Sequence, residues 1–400
     1  MASKVWCRMF QFAMRTATLF LNWTPPERLE GAGSVKELPK LIKRDGLKKI
    51  LLVTDKGLTE LGLYNGLLEA LKKRDIGAVL FDDVRPNPTV DNIEAGLALY
   101  LAESCQGIVA FGGGSPMDCA KGIGARLARP NKSILKMRGT LKVIKKIPPL
   151  YAIPTTAGTG SECTVAAVVS DPKTHEKGAV NDPVLRPRVA VLDPKLTLGL
   201  PPHITSTTGM DALTHAVEAY IGGSNTKDTK RWAEEATALI FANLEKVYAD
   251  GKDVAARANM LLASHLAGLA FTRAYVGYVH SIAHNMGGIY GTPHGLANAI
   301  ILPYVLEDYG PAIYTSLAAL CDAAGLTGVN GDEAKAKAFI SEIRAMNARM
   351  NIPDKIADLR ETDIPLIAKR ALLEGNPLYP VPVIWDQAHC EAVIHRLMAA

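Results

Sequence analysis

The stretch VHSIAHNMGGIYGTPHG, from Val279 to Gly295, holds three of the chain's nine histidines. Residues four apart on a helix share a face, so His280 and His284 point the same way. The same spacing relates Asp211 and His215 in GMDALTHAVEAYI, and His294 follows in the turn YGTPHG. One carboxylate and four imidazoles on two helices and a turn form the donor set of a divalent first-row metal such as Fe²⁺, with Zn²⁺ as the other choice. The competing reading is that HxxxH arises by chance in core or capping histidines. His175, His203, His265, His389 and His395 have no such company and read as ordinary histidines.

A second chemistry sits upstream, in GIVAFGGGSPMDCAKGIGARLA. Gly112, Gly113, Gly114 and Ser115 lie between a buried strand and a helix that is expected to begin at Ser115 or Pro116, with Ser115 as its cap. Glycines let backbone approach a bulky anion, and a helix N-terminus offers N–H groups to it, so a diphosphate fits; a tight corner with no ligand is the alternative. A second loop, PTTAGTGSECT, offers Thr155, Thr156, Gly158, Thr159 and Gly160 after the strand PPLYAIP. Two such loops at strand C-termini suit one ligand in the crevice of an α/β sheet. Asp55, ending ILLVTD, is placed to accept from an adenosine ribose 2′-OH and to repel a 2′-phosphate, which points to NAD; the alternative is a helix cap.

The elements that must position these groups fall into two halves. From Lys48 to Leu200, strand patterns (KKILLVTD, GAVLFDDV, GIVAFGGGS) alternate with helical ones (YNGLLEALKKRD, TVDNIEAGLALYLAES), which predicts βαβ units and a mostly parallel sheet. Beyond Pro201 and Pro202, long helix-period segments such as DTKRWAEEATALIFANLEKVYAD and KDVAARANMLLASHLAGLAF predict a helical domain. The expected division is 1–200, an α/β nucleotide-binding domain, and 201–400, an all-α metal-binding domain.

Composition narrows the setting. The 400 residues are 48% hydrophobic and 21% charged, and the net charge is +5 with the signs interspersed, so no clustered basic face marks a nucleic-acid partner. The six cysteines form no CxxC pair and read as reduced thiols of a cytoplasmic protein. Up to Pro26 there are basic residues and no acid, a faint targeting character, but Arg8 and Arg15 break the apolar runs, so neither a signal-peptide core nor a membrane span fits. The segment reads as an N-terminal extension followed by a first strand.

Together, GGGSPMDCAK, AIPTTAGTGSE, GMDALTHAVEAYI and VHSIAHNMGGIYGTPHGLANAIILP resemble, in order, the iron-containing (group III) alcohol dehydrogenases, from about Arg28 to about Pro303. The resemblance implies a dehydroquinate synthase-like architecture, a dinucleotide-binding α/β domain followed by a helical domain with the active site in the cleft between them. It implies metal ligands at Asp211, His215, His280 and His294, and a non-ligand histidine beside the substrate at His284. It places cofactor residues at Asp55, Asn87, Gly114, Ser115, Thr155, Thr164, Lys177 and Leu196, to which the glycine and threonine loops add Gly113 and Thr156. The expected reaction is hydride transfer between NAD(H) and a small alcohol or aldehyde, a short primary alcohol or diol, in a homodimer or higher homo-oligomer with no membrane or nucleic-acid partner. His284 is the expected proton carrier. The alternatives are a glycerol- or diol-specific zinc dehydrogenase, a dehydroquinate synthase-like lyase, and a non-enzymatic NAD binder. Two stretches depart from the family pattern, the segment before Glu27 and EGNPLYPVPVIWDQ near the C-terminus; substrate-facing residues are expected in the latter and near Phe271.

Overall fold

The computed structural model describes residues 3–18, 21–172 and 177–399; His175 lies outside them. The chain divides into two compact units, Asn22–Gly199 and a second made of Met1–Leu21 with Leu200–Ala400. The expected 1–200 division differs at its N-terminal end, because residues up to Leu21 group with the helical unit. A helix, α1 (Lys4–Thr18), stands where a loose extension was expected. Its contacts explain the difference. The Arg8 guanidinium donates to the carbonyls of Val381 (2.8 Å) and Pro382 (2.7 Å), and Gln11 Nε2 donates to Tyr379 O (2.7 Å). The helix docks through the buried Cys7 and Gln11, while its apolar Val5, Met9 and Phe12, at helical spacing, face outward.

The unit Asn22–Gly199 contains β1 (Glu27–Glu30), α2 (Leu38–Arg44), β2 (Lys49–Val53), α3 (Lys56–Glu60), α4 (Asn65–Lys72), β3 (Gly77–Phe81), α5 (Val90–Ala102), β4 (Gly107–Gly112), α6 (Gly114–Ala128), β5 (Gly139–Thr140), β6 (Leu150–Pro154), β7 (Ala166–Ser170), β8 (Lys177–Asn181) and β9 (Val189–Leu192). Six strands form one sheet in the order β1-β9-β6-β4-β2-β3, every pair parallel. β5, β8 and β7 form a smaller sheet with an antiparallel β7–β8 pair. Alternate residues of the central strands feed two apolar layers. Leu51, Val53, Ile108 and Ala110 pack with Ile93, Leu97, Met117 and Ile123 of α5 and α6. Ile50, Leu52, Val109 and Phe111 pack with Leu38, Ile42, Leu67 and Leu71 of α2 and α4. A sheet covered on both faces needs the near-continuous apolar strands that the sequence carries. Because β3 lies on one side of β2 and β4 on the other, the chain reverses direction between β2 and β4, which is where open α/β sheets bind ligands.

The second unit adds α7 (Pro202–Ile221), α8 (Lys227–Ala249), α9 (Val254–Ala274), α10 (Tyr278–Ile289), α11 (His294–Tyr309), α12 (Tyr314–Ala323), α13 (Asp332–Arg349), α14 (Ile364–Gly375) and α15 (Gln387–His395). Thr226 caps α8 and Asp253 caps α9 through their side-chain oxygens. Among the described residues, α9 is the one helix long and apolar enough to cross a membrane. It is a core helix: His265 is buried, and the buried Arg257 donates to Thr205 Oγ1, Leu200 O and Gly251 O.

Candidate metal centre and nucleotide cradle

Asp211, His215 and Glu218 sit at i, i+4 and i+7 of α7, one face of a helix. His280 and His284 share a face of α10, and His294 is the first residue of α11. Asp211, His215, His280 and His294 each bring one ligand atom to a group whose members all lie within 4.8 Å of one another. His294 Nε2 is 3.6 Å and His280 Nε2 is 3.9 Å from Asp211 Oδ1, and the His215 and His280 rings stand 4.5 Å apart. The approach of α11 to α7 depends on Gly295, since a Cβ there would meet the backbone oxygen of Thr207 at 2.5 Å. Any side chain would push His294 away from Asp211.

The donors suit a metal. His280 Nε2 is buried and has no hydrogen-bond partner among the described residues, while Nδ1 of the same ring lies 2.6 Å from Glu218 Oε2. A carboxylate on one ring nitrogen fixes the tautomer and turns the other nitrogen toward a metal. Burial holds the His280 imidazole well below its usual range, and the neighbouring His215, His294 and His284 push the same way, so the ring is in the neutral form that ligates. Glu218 is itself held by N–H donors from Gly277 and Val279, both at 2.8 Å. Burial pushes its carboxyl up to about 7 against the opposing pull of those donors. Asn298, one turn after His294, donates from Nδ2 to Asp211 Oδ1 at 2.6 Å. Phe271 stacks on His215 with the ring centroids 4.2 Å apart.

His284 stands apart from the four. Its ring stacks on His294 at 5.2 Å, but its Nδ1 lies 2.7 Å from Glu374 Oε1 of α14. Glu218, Asn298 and Glu374 were absent from the expected site. Glu218 and Asn298 were findable by spacing, at i+3 from His215 and i+4 from His294; Glu374 had no such signal.

In the sheet unit, the loops after β4 and β6 lie side by side, because Gly112 pairs with Pro154 and Thr155 N donates to Gly112 O at 3.0 Å. α6 begins at Gly114 with Gly113 in the capping position, one residue before Ser115 and two before Pro116, the two expected starts. Ser115 does not cap the helix; its Oγ accepts from Asn87 N at 3.1 Å, joining Asn87 to the glycine turn. Gly112 has φ +148°, and a Cβ there would strike Pro116 Cγ at 2.6 Å, so the turn requires glycine. Gly113 faces Thr156, and Gly114 faces Thr159. Asp55 follows β2, the strand next to β4, and caps α3 by accepting from Leu58 N through Oδ1. That bond occupies one carboxylate oxygen.

The three remaining expected cofactor residues are placed differently. Thr164 is buried, and its Oγ1 accepts from Lys121 Nζ at 2.9 Å. Lys121, from the GGGSPMDCAK motif, also donates to Ser161 O, Ser161 Oγ and Ala166 O, tying α6 to the second loop. Leu196 is buried in the apolar layer with Phe111 and Ile153. Lys177 opens β8 opposite Ser170, whose N–H donates to Pro88 O at 2.9 Å, so it lies near the Asn87 turn.

A nucleotide cradle at strand ends and a histidine–carboxylate centre on helices describe a metal-dependent dehydrogenase of the two-domain kind. The family model of iron-containing alcohol dehydrogenases matches residues 25–194, and the C-terminal model of Fe-containing alcohol dehydrogenases matches residues 205–398. Alcohol dehydrogenase 4 of Schizosaccharomyces pombe is 39% identical over 90% of this chain and 85% of its own length. The 1,3-propanediol dehydrogenase of Citrobacter freundii is 39% identical over 92% of this chain and 94% of its own. A crystal structure of a 1,3-propanediol oxidoreductase superposes with a TM-score of 0.91 at 36% identity, covering 94% of this chain and 100% of that one. The chain belongs to the iron-containing alcohol dehydrogenase family. Its reaction is hydride transfer between NAD(H) and an alcohol/aldehyde pair.

Proposed function

We propose that the chain interconverts short primary alcohols or diols and their aldehydes, and that Asp211, His215, His280 and His294 hold Fe²⁺, with Zn²⁺ the competing ion. The observation that carries the site is His280 Nε2: buried, neutral, oriented by Glu218 and facing Asp211. Diols enter as substrates through the names of the relatives, and the Phe271 face on His215 suits a short carbon chain beside the centre.

When bound, the ion supplies Lewis acidity toward the substrate oxygen. The chain does the rest. Glu218 and Asn298 orient His280 and Asp211. The hydroxyl proton passes to His284 Nε2, since Nδ1 is engaged with Glu374. Asn87, Gly113, Gly114, Ser115, Thr155 and Thr156 cradle the diphosphate with N–H and hydroxyl groups, and Asp55 accepts from the ribose. Thr164 and Leu196 act from beneath, by holding the loops, and Lys177 reaches the nucleotide from β8.

A cytoplasmic location and self-association complete the proposal. All six cysteines are buried thiols, which suits a reducing compartment, and β1 stands at a sheet edge where a second copy could pair.

The test is metal analysis of protein purified without air, with NADH formation measured on short primary alcohols, 1,3-diols and glycerol. Stoichiometric iron with turnover on primary alcohols or diols supports the reading. Zinc with glycerol preference replaces it by the zinc dehydrogenase, and NAD binding without net NADH on any alcohol rejects it.

A further inference from the structure

The stretch EGNPLYPVPVIWDQ reaches the histidine beside the candidate centre through Glu374. Glu374 Oε1 lies 2.7 Å from His284 Nδ1 and also accepts from Tyr379 Oη at 2.8 Å. Tyr379 remains a donor, because burial and the adjacent Glu374 charge hold its hydroxyl well above the usual range. The stretch is anchored along its length. Asn376 Oδ1 accepts from Tyr278 Oη at 3.0 Å, Pro380 O accepts from Gly223 N at 2.7 Å, and Tyr379 O, Val381 O and Pro382 O accept from Gln11 and Arg8 of α1.

We infer that Glu374 is a positioning residue that acts through His284, held in place by Tyr379 and by the clamp of α1 on residues 379–382. A carboxylate bonded at Nδ1 keeps the proton on that nitrogen, so Nε2 is the basic atom of the ring. A hydrophobic residue at 374 would let the proton sit on either nitrogen and let the ring turn. Glutamine would keep an acceptor at Nδ1 while losing the charge. This inference rests on the proton-carrying reading of His284, and the experiment separates the two.

Four variants are compared, Glu374→Leu, Glu374→Gln, His284→Ala and the double variant Glu374→Leu/His284→Ala. Each is measured for metal content, KM for NAD and kcat for alcohol oxidation, and zinc-loaded protein with ¹⁵N-labelled histidine is examined by NMR for the tautomer of His284. Glu374→Leu is expected to lower kcat about 10- to 100-fold, the effect of losing a partner that orients a functional imidazole, with metal content and KM for NAD unchanged. The Nδ1–H tautomer signal should be lost in Glu374→Leu and kept in Glu374→Gln, which should recover most of kcat. The double variant should be no slower than His284→Ala, because a residue acting through another adds nothing once that other is gone. If His284→Ala retains full kcat, the reading of His284 fails. If His284→Ala is slow while Glu374→Leu is at wild-type kcat, or if the losses multiply in the double variant, the positioning role of Glu374 is overturned and that of His284 stands.

Discussion

The proposed nucleotide cradle and metal centre would each hold a charged group, and they are built from opposite materials. The cradle uses backbone N–H groups, glycines and small hydroxyls at the ends of β4 and β6, on a sheet whose strands are buried on both faces. The centre uses side chains on α7, α10 and α11, two of them turned by a partner, Glu218 on His280 and Asn298 on Asp211, and Glu374 does the same for the neighbouring His284. Backbone sites are set by where the chain runs, and side-chain sites by what each ring or carboxylate is bonded to on its far side. The cradle should therefore be sensitive to φ and to an added Cβ. The centre should be sensitive to the loss of single atoms.

The largest effect expected from that contrast is at the centre. His280→Ala should empty it of most metal and lower turnover by about 10²–10⁴-fold, several kcal/mol of Lewis-acid stabilisation, while NAD binding and the circular dichroism spectrum are retained. Near-normal metal content by elemental analysis would remove His280 from the ligand set.

A pair of glycine substitutions tests the two regions against each other. Gly295→Val drives a side chain onto the Thr207 carbonyl and should cost metal affinity while leaving NAD binding intact. Gly112→Ala forces an L-residue to φ +148° against Pro116 and should do the reverse, weakening NAD by about 1–3 kcal/mol with metal unchanged. Calorimetric titration of NAD and metal analysis on both proteins measure this directly. Crossed losses in either one would mean that the two regions are not independent.

A smaller effect is expected at Asp55, whose Oδ1 caps α3 while the residue is proposed to read the ribose. Asp55→Asn keeps an acceptor for Leu58 N and removes the charge. Discrimination of NAD over NADP should fall by about 1–3 kcal/mol with no change in melting temperature. Asp55→Ala should also lose about 1 kcal/mol of stability from the missing cap. An unchanged NAD to NADP efficiency ratio in Asp55→Asn would leave capping as the residue's whole role.

The smallest effect is on α1. Gln11→Leu removes two hydrogen bonds, Gln11 Nε2 to Tyr379 O and Arg8 to Gln11 Oε1, each worth about 0.5–1.5 kcal/mol, and should lower kcat less than Glu374→Leu does without altering metal content. Phe12, on the exposed side of the same helix, should tolerate serine within about 0.5 kcal/mol of stability.

How much of this was legible in the sequence depended on the range of the interaction. Strands β2, β3, β4 and β6 were readable as short apolar runs, and helices α4, α5, α8 and α9 as longer segments between turn residues. The cap of α6 was misplaced by two residues, since Ser115 bonds to Asn87 across the chain and leaves the capping position to Gly113. α1 was missed although Val5, Met9 and Phe12 recur at helical spacing; they face outward, and the buried side is made by Cys7 and Gln11 with Arg8 at its rim.

The sequence by itself determined the kinds of group available: three imidazoles and a carboxylate at helical spacing, glycines between a strand and a helix, and an acid at the end of β2. These are local facts, carried by i to i+4 periodicity and by the few residues that permit a tight turn. Only the tertiary structure decided which nitrogen of each histidine is bonded and to what. Glu218 reaches His280 across 62 positions and Glu374 reaches His284 across 90, and no periodicity spans such separations. The approach of α11 to α7 at Gly295 is likewise a consequence of packing, because the Thr207 carbonyl that forbids a side chain there becomes a neighbour only once the helices have docked.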